Sequence, residues 1–366
     1  MNNLEFEQRL NDAFENNLPI ADKVNQLRLD LDDTKSNQEL MEGFWDNSLF
    51  SDIEQANSYD NFYQLCQLHF KVADSAEFDN VATTPIKNTD LWSDSVIWLA
   101  VYLDFIMHLD RNHDKKFGAF INSSILWRLK WVLNHIVENP YKDFSEIYSC
   151  SSMLHYYYDL YGLGERSIHK IRVMQGIKMA NKEIIEENLQ KWLEAPTNDF
   201  DDCLACQYDD IIRAYCFLKQ YDKALEWVKE ILDGSVTCGE VPHVTNSLIA
   251  EAYFYTNQTD KAVTILETGY PLIQNKLAFL RPISEFIRLY REMNMTDKAV
   301  AIFEENKYLL ENCESPYEKM LFLIEAVKLP IGNKKAYALE AMSLATRFDI
   351  RNGNAYYLSQ LPKVIT

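Results

Sequence analysis

One short motif recurs at a fixed interval and restricts the possible folds more than any other feature. Tyr221-Asp222-Lys223-Ala224-Leu225, Thr259-Asp260-Lys261-Ala262-Val263 and Thr296-Asp297-Lys298-Ala299-Val300 set their alanines 38 and 37 residues apart. A tyrosine stands nine residues before each alanine (Tyr215, Tyr253, Tyr290), and a large apolar residue stands four after it (Val228, Leu266, Phe303). Three offsets kept through three copies mark a structural repeat.

The pattern predicts a pair of antiparallel helices per repeat. The first helices are expected over 209–218 and 244–255, the second over 222–232 and 260–270, joined by turns at Lys219-Gln220 and Thr256-Asn257-Gln258. A turn that short forces the helices side by side. The small alanines allow close backbone approach, and the tyrosine ring fills the space beside them. Asp222, Asp260 and Asp297 fall at the start of each second helix, where they can cap free N–H groups and favour the positive dipole end. One hairpin cannot bury its own apolar face, so the hairpins must stack into an all-α solenoid.

On these residues the chain resembles tetratricopeptide-repeat proteins, whose consensus carries a tyrosine, an alanine nine residues on, and a large apolar residue four later. The resemblance covers about 203–347. The chain departs from the family in its period of 37–38 rather than 34, and in Ile211-Ile212, Ile249-Ala250 and Phe286-Ile287 where the consensus has Leu-Gly. The closing proline is also missing from its usual place. A fourth copy over 318–347 sets Ala336 at the expected interval but has Val327 for the tyrosine, as a degenerate cap would. The resemblance implies a bacterial-type cytoplasmic scaffold or adaptor that docks a protein or peptide on the concave face of the solenoid, lined by the first helices.

Upstream of 203 helices are visible but the period is not. Helical stretches are expected over 92–109, 120–137, 144–161, 166–180 and 182–193. They predict divergent helical hairpins over 89–202, preceded by an acidic N-terminal helical region over 1–88. Ten Gly and ten Pro in 366 residues are too few for a sheet-rich chain. The net charge is −19, and the first 80 residues hold 17 acidic and five basic side chains. That balance disfavours general nucleic-acid binding, which needs a positive surface. It permits a basic protein as partner, and it also serves solubility. Residues 1–15 carry no apolar core of an export signal. The most hydrophobic run, 96–109, is too short for a membrane span and contains Asp104. Seven cysteines, an odd number, point to a reducing cytoplasm and to free thiols or metal ligands.

Four residues form a candidate metal set: Cys203, Cys206, Cys238 and His243. Cys-x2-Cys lets two thiolates reach one tetrahedral ion, and three cysteines with one histidine are a common structural zinc set. The repeat would supply proximity, because both pairs enter equivalent first helices whose N-ends are neighbours at about 8–10 Å. Two other readings stay open. The cysteines can be small buried apolar residues, with His243 a helix cap, or Cys203 and Cys206 can form a redox disulfide.

Other motifs fall short. Asp110-x-Asn112-x-Asp114 begins like a calcium loop but has Lys115 and Ile121 where glycine and glutamate are needed. Gly162-Leu163-Gly164 lacks the rest of a phosphate loop and suits a helix end. Tyr156-Tyr157-Tyr158 must point in different directions on a helix, so at least one belongs to the core. Nothing places a catalytic triad or dyad, and a non-enzymatic protein is expected.

For the binding groove, counting back from the alanines gives Arg213, Glu251 and Arg288 at one position, and Cys216, Phe254 and Arg291 at another. With Arg281 these form a mixed aromatic and basic strip that could clamp a carboxylate or acidic peptide. The competing account is that Arg213 and Glu251 pair with each other. An immunity- or antitoxin-type inhibitor of a basic toxin is the alternative function, and a peptide-sensing regulator a further one.

Overall fold

The structure is a computed structural model that describes residues 130, 133–160, 162–198, 200–313 and 315–363. The chain divides into two compact units, Met1–His135 and Ile136–Thr366, and the second holds nearly all the described residues. The expectations for 1–88, 92–109, the loop at 110–121 and most of 120–137 lie outside the described residues. The second unit begins at Ile136, so helices upstream of 203 belong to the same compact body as the motif repeats.

Its described residues are helical, with no strand among them. In order the helices are α1 (Phe144–Leu160), α2 (Arg166–Lys178), α3 (Lys182–Glu194), α4 (Leu204–Phe217), α5 (Tyr221–Glu226), α6 (Lys229–Leu232), α7 (Asn246–Tyr255), α8 (Thr259–Ile273), α9 (Leu280–Glu292), α10 (Thr296–Asn306), α11 (Pro316–Ala326) and α12 (Lys334–Asn352). They pack as hairpins: α2 with α3, α4 with α5, α7 with α8, α9 with α10, and α11 with α12. The first helices, α2, α4, α7, α9 and α11, contact one another in sequence, so the unit is a helical-repeat solenoid.

The motif residues take matching places. Ala224, Ala262 and Ala299 are fully buried, as are Val228, Leu266 and Phe303 to within 2%. Each hairpin turns through one left-handed residue, Lys219, Asn257 or Asn294, five positions before its alanine. The motif lysine lies over the ring of its own repeat's tyrosine each time. Lys223 is 5.7 Å from the Tyr215 centroid, Lys261 5.2 Å from Tyr253, and Lys298 5.4 Å from Tyr290. A cation on a π face explains why lysine recurs in the motif. The motif aspartates sit in the first turns of α5, α8 and α10, where the dipole favours them. Residues Gln220, Gln258 and Met295 hold the capping positions and make no side-chain cap bond.

Three details differ from the sequence reading. The second helix of the first motif copy is broken into α5 and α6 at Trp227-Val228. In the fourth copy Ala338 is fully buried and Ala336 exposed. The longer connection ending at the left-handed Asn333 moves the register by two. Upstream, α2 and α3 are a further copy with the pair reversed. Left-handed Ala180 stands five residues before buried Ile185, and Gly176 takes the tyrosine's place nine residues before it. A Cβ on Gly176 would lie 2.8 Å from Ile185 Cγ1. Large-then-small has become small-then-large, which hides the period.

Of the three adjacent tyrosines, Tyr157 and Tyr158 are buried and Tyr156 is exposed. Gly162 and Gly164 both adopt positive φ in the turn after α1, a conformation that suits glycine. The C-terminal segment then returns to the start of the unit. Tyr357 Oη donates to Lys178 O at 2.6 Å, Asn354 Nδ2 to Met179 O at 2.9 Å, and Arg351 to the carbonyls of Val137 and Asn139 at 2.7 Å each. Buried Asp349 holds this segment by accepting from the N–H groups of Tyr357 and Leu358. The row of inner helices is thereby closed against its own first hairpin. No described helix is long and apolar enough to cross a membrane.

Candidate functional site

The inner helices enclose a cavity of about 300 Å³, lined by residues of α2, α4, α7, α9, α11 and the C-terminal segment. Helix α9 contributes a stripe of alternating charge, Arg281, Glu285, Arg288 and Glu292, spaced so that all four face the cavity. From Arg281 to Glu292 the stripe runs about 16 Å along the helix.

Most of this charge is consumed internally. Arg213 is buried and pairs with Glu285 at 2.9 Å and Asp209 at 3.4 Å. Asp209 also accepts from Thr245 Oγ1, and Glu285 from Ser247 Oγ. Burial opposes ionisation of Glu285, but Arg213 and Arg281 outweigh it and hold the carboxyl below its ordinary range. Arg288 reaches Glu251 at 2.5 Å and Glu292 at 3.3 Å. Arg291 reaches Glu325 at 3.0 Å. The expected pairing of Arg213 with Glu251 does not form, because each finds its partner on α9. Of the groove residues read from the sequence, Arg213, Glu251, Arg281 and Arg288 line the cavity, while Phe254 and Arg291 lie outside its walls.

Arg281 stands apart. It occupies the first turn of α9, where the helix dipole disfavours a cation, and among the described residues no ion pair to it is found. Its Nε is buried and finds no acceptor. Glu318, in the first turn of α11, acts on Arg281 across space without pairing. Burial pushes the Glu318 carboxyl up to about 7, aided by Glu138. The other end of the stripe is aromatic. Tyr221 and Tyr255 stack at 4.7 Å, Tyr255 Oη donates to Glu292 at 2.8 Å, and Tyr356 lies 5.6 Å from Phe217. The sequence reading missed these tyrosines. Glu285 and Glu292 were recoverable from their spacing with Arg281 and Arg288, whereas Tyr356 reaches the cavity only through closure of the chain end.

A second cluster lies where α4 and the loop entering α7 meet. Cys203 caps α4, its Sγ accepting the Cys206 N–H at 3.4 Å. The sulfurs of Cys203 and Cys206 are 3.2 Å apart, and those of Cys206 and Cys238 3.7 Å. All three lie within 4.8 Å of one another and could hold a metal ion. Burial works against the Cys203 thiolate, but hydrogen bonds from the Cys206 N–H and thiol outweigh it and lower its pKa. Burial and the neighbouring Cys203 raise that of Cys206. The structure does not bring His243 into the group. Its ring stacks on Phe279 at 5.8 Å and 13°, at the entrance to α9, so it bridges to the next hairpin instead.

No family model matches the chain, and neither a curated protein nor a solved structure is found to match it.

Proposed function

We propose that this chain is a non-enzymatic binding protein whose closed inner face receives a peptide end, with the carboxylate at Arg281. The observation that supports this most is the buried, acceptor-less Nε of Arg281 in a cavity whose other arginines are already paired. A guanidinium offers a carboxylate two parallel N–H donors. A cavity of about 300 Å³ is at the lower bound of pockets that hold small ligands, so it admits roughly two or three peptide residues rather than a folded domain. The tyrosines at the far end supply rigid apolar contact for what precedes the terminus.

Calorimetric titration with a pool of short peptides, in free-acid and C-terminally amidated forms, tests this reading. The free acids should bind the wild type, and both amidation and Arg281→Gln should weaken binding at least ~10-fold. Equal binding of amidated peptides, or an unchanged Arg281→Gln variant, overturns it.

The thiol cluster supports a second assignment, a structural zinc that fastens α4 to the loop before α7. A Zn–S bond of about 2.3 Å in a tetrahedral site separates sulfurs by about 3.8 Å. The observed 3.2 and 3.7 Å need little adjustment. Elemental analysis of untagged protein purified without chelator should find one zinc per chain. Its absence after zinc supply under reducing conditions removes the assignment.

A further inference from the structure

Two separations within the sulfur cluster point to different chemistry. The 3.7 Å from Cys206 to Cys238 matches the sulfur–sulfur edge of about 3.8 Å in a tetrahedral thiolate site. The 3.2 Å from Cys203 to Cys206 falls short of that edge, toward the bond of about 2.05 Å in a disulfide. We propose that Cys203 and Cys206 form a thiol–disulfide exchange site, which closes to a disulfide on reaction with a low-molecular-weight disulfide.

The backbone sets this pair. Cys203 is the N-cap of α4, with non-helical backbone (φ −55°, ψ 151°), and its Sγ turns back to accept the Cys206 N–H at 3.4 Å. Cys206 is the third residue of the helix, so the capping contact itself lays one sulfur against the other. The spacing is that of a capping box, in which the cap and the third residue share one side of the helix start. Access differs between the two partners. Cys203 is exposed and Cys206 half-buried. An incoming disulfide therefore meets Cys203 first, with Cys206 behind it as the resolving thiol. An accessible thiol beside a resolving one is the arrangement that redox-sensing cysteines use.

The chemistry balances as two exchanges. The Cys203 thiolate attacks one sulfur of the small disulfide, which forms a mixed disulfide and releases one small thiolate. Cys206, its proton given to solvent, then attacks Cys203 Sγ and expels the second. Two protein thiols are oxidised, and one small disulfide is reduced to two thiols. Cys238 stays reduced, so oxidation withdraws two of the three sulfurs that the zinc assignment uses. The exchange site shares those sulfurs with zinc but does not rest on the metal being bound.

Reduced, chelator-treated full-length protein is mixed with oxidised glutathione, quenched by alkylation and mapped by mass spectrometry. Wild type should lose two thiols to a Cys203–Cys206 disulfide, to the same extent when the protein is diluted. Cys206→Ser should stop at a glutathione adduct on Cys203, and Cys203→Ser should slow attack on Cys206 at least ~10-fold because that sulfur is the less accessible. Serine is itself a favoured helix cap, so Cys203→Ser should keep its helical circular dichroism. A wild type that stays reduced, stops at the glutathione adduct, or joins Cys203 to Cys238 or Cys66 overturns the proposal. Repeating the reaction on zinc-supplied protein tests the metal separately, since bound zinc should slow the disulfide by holding both thiolates. Equal rates with and without zinc would overturn the zinc assignment and leave the exchange site standing.

Discussion

The seams between hairpins and the wall of the cavity follow different rules. Along the seams each copy reuses the same contacts: a tyrosine beside an alanine, a lysine over the ring, a left-handed turn residue five positions earlier. Along the wall nothing recurs. The positions of Arg213, Glu251 and Arg288 are equivalent in the repeat, yet they differ in sign and pair across helices, Arg213 with Glu285 and Arg288 with Glu251. A seam faces the same kind of neighbour in every copy, so its chemistry can repeat. The wall faces one shared interior, where each charge must be matched once. Repetition marks the scaffold, and its breakdown marks the surface that acts.

The largest effect expected on the wall comes from Arg213→Ala. Removing it leaves buried Asp209 and half-buried Glu285 without their paired cation, and a broken buried pair costs about 3–5 kcal/mol. Urea unfolding followed by circular dichroism should show that loss, and a loss under about 1 kcal/mol would mean that Arg213 is not what keeps these two carboxylates charged inside the wall. On the seam, Gly176→Tyr should destabilise by about 3 kcal/mol, since even a Cβ there crowds Ile185. Adding Ile185→Ala restores the order found in the other copies and should recover most of the loss. Failure of that rescue would mean that α2 and α3 do not obey the seam rule.

This contrast also explains what the sequence revealed. The repeat was legible over 203–347 because Tyr, Lys and Ala are dictated by a neighbour of constant shape. The hairpin of α2 and α3 was legible as a pair of helices over 166–180 and 182–193 but not as a copy of the repeat, because Gly176 and Ile185 stand where the other copies have tyrosine and alanine. Counting back from the alanines reached Arg213, Glu251 and Arg288 on the wall, but their partners lie on α9, up to 72 residues away. Tyr356 and Tyr357 were invisible because their place depends on contacts such as Tyr357 with Lys178, 179 residues apart. Stacking of first helices is enough to predict that Cys203, Cys206 and Cys238 approach. It says nothing of whether His243 turns back to them or forward to Phe279, since that depends on which ring the next hairpin presents.

Glu318, which is not among the residues lining the cavity but feels Arg281 across space, provides a pH-dependent comparison. Its folded-state pKa of about 7 lies above the ordinary glutamate value, so folding favours the neutral carboxyl. The cost of this group is absent at pH 4, grows as pH rises from about 4.5 to 7, and is complete above that. Glu318→Gln should therefore stabilise the protein at pH 8 and leave it unchanged at pH 4. The gain should be about 1–2 kcal/mol, less than the full shift implies because the side chain is only half-buried. A gain of equal size at both pH values would trace the effect to packing instead of charge.

The smallest effect returns to the seam. Lys223, Lys261 and Lys298 have only their tyrosine rings in common, and a half-exposed cation–π contact contributes about 0.5–1 kcal/mol. Lys261→Gln keeps the Gln258 neighbour able to hydrogen-bond while removing the charge over Tyr253. Its loss should match that of Lys223→Gln and fall below that of Lys298→Gln, because Lys298 also pairs with Glu267 at 2.6 Å. If the seam is a repeated contact, Tyr253→Leu should erase the penalty of Lys261→Gln in a double-mutant cycle. A penalty that survives without the ring would assign the lysine to helix propensity, and the recurrence of Lys in the motif would then owe nothing to the tyrosine.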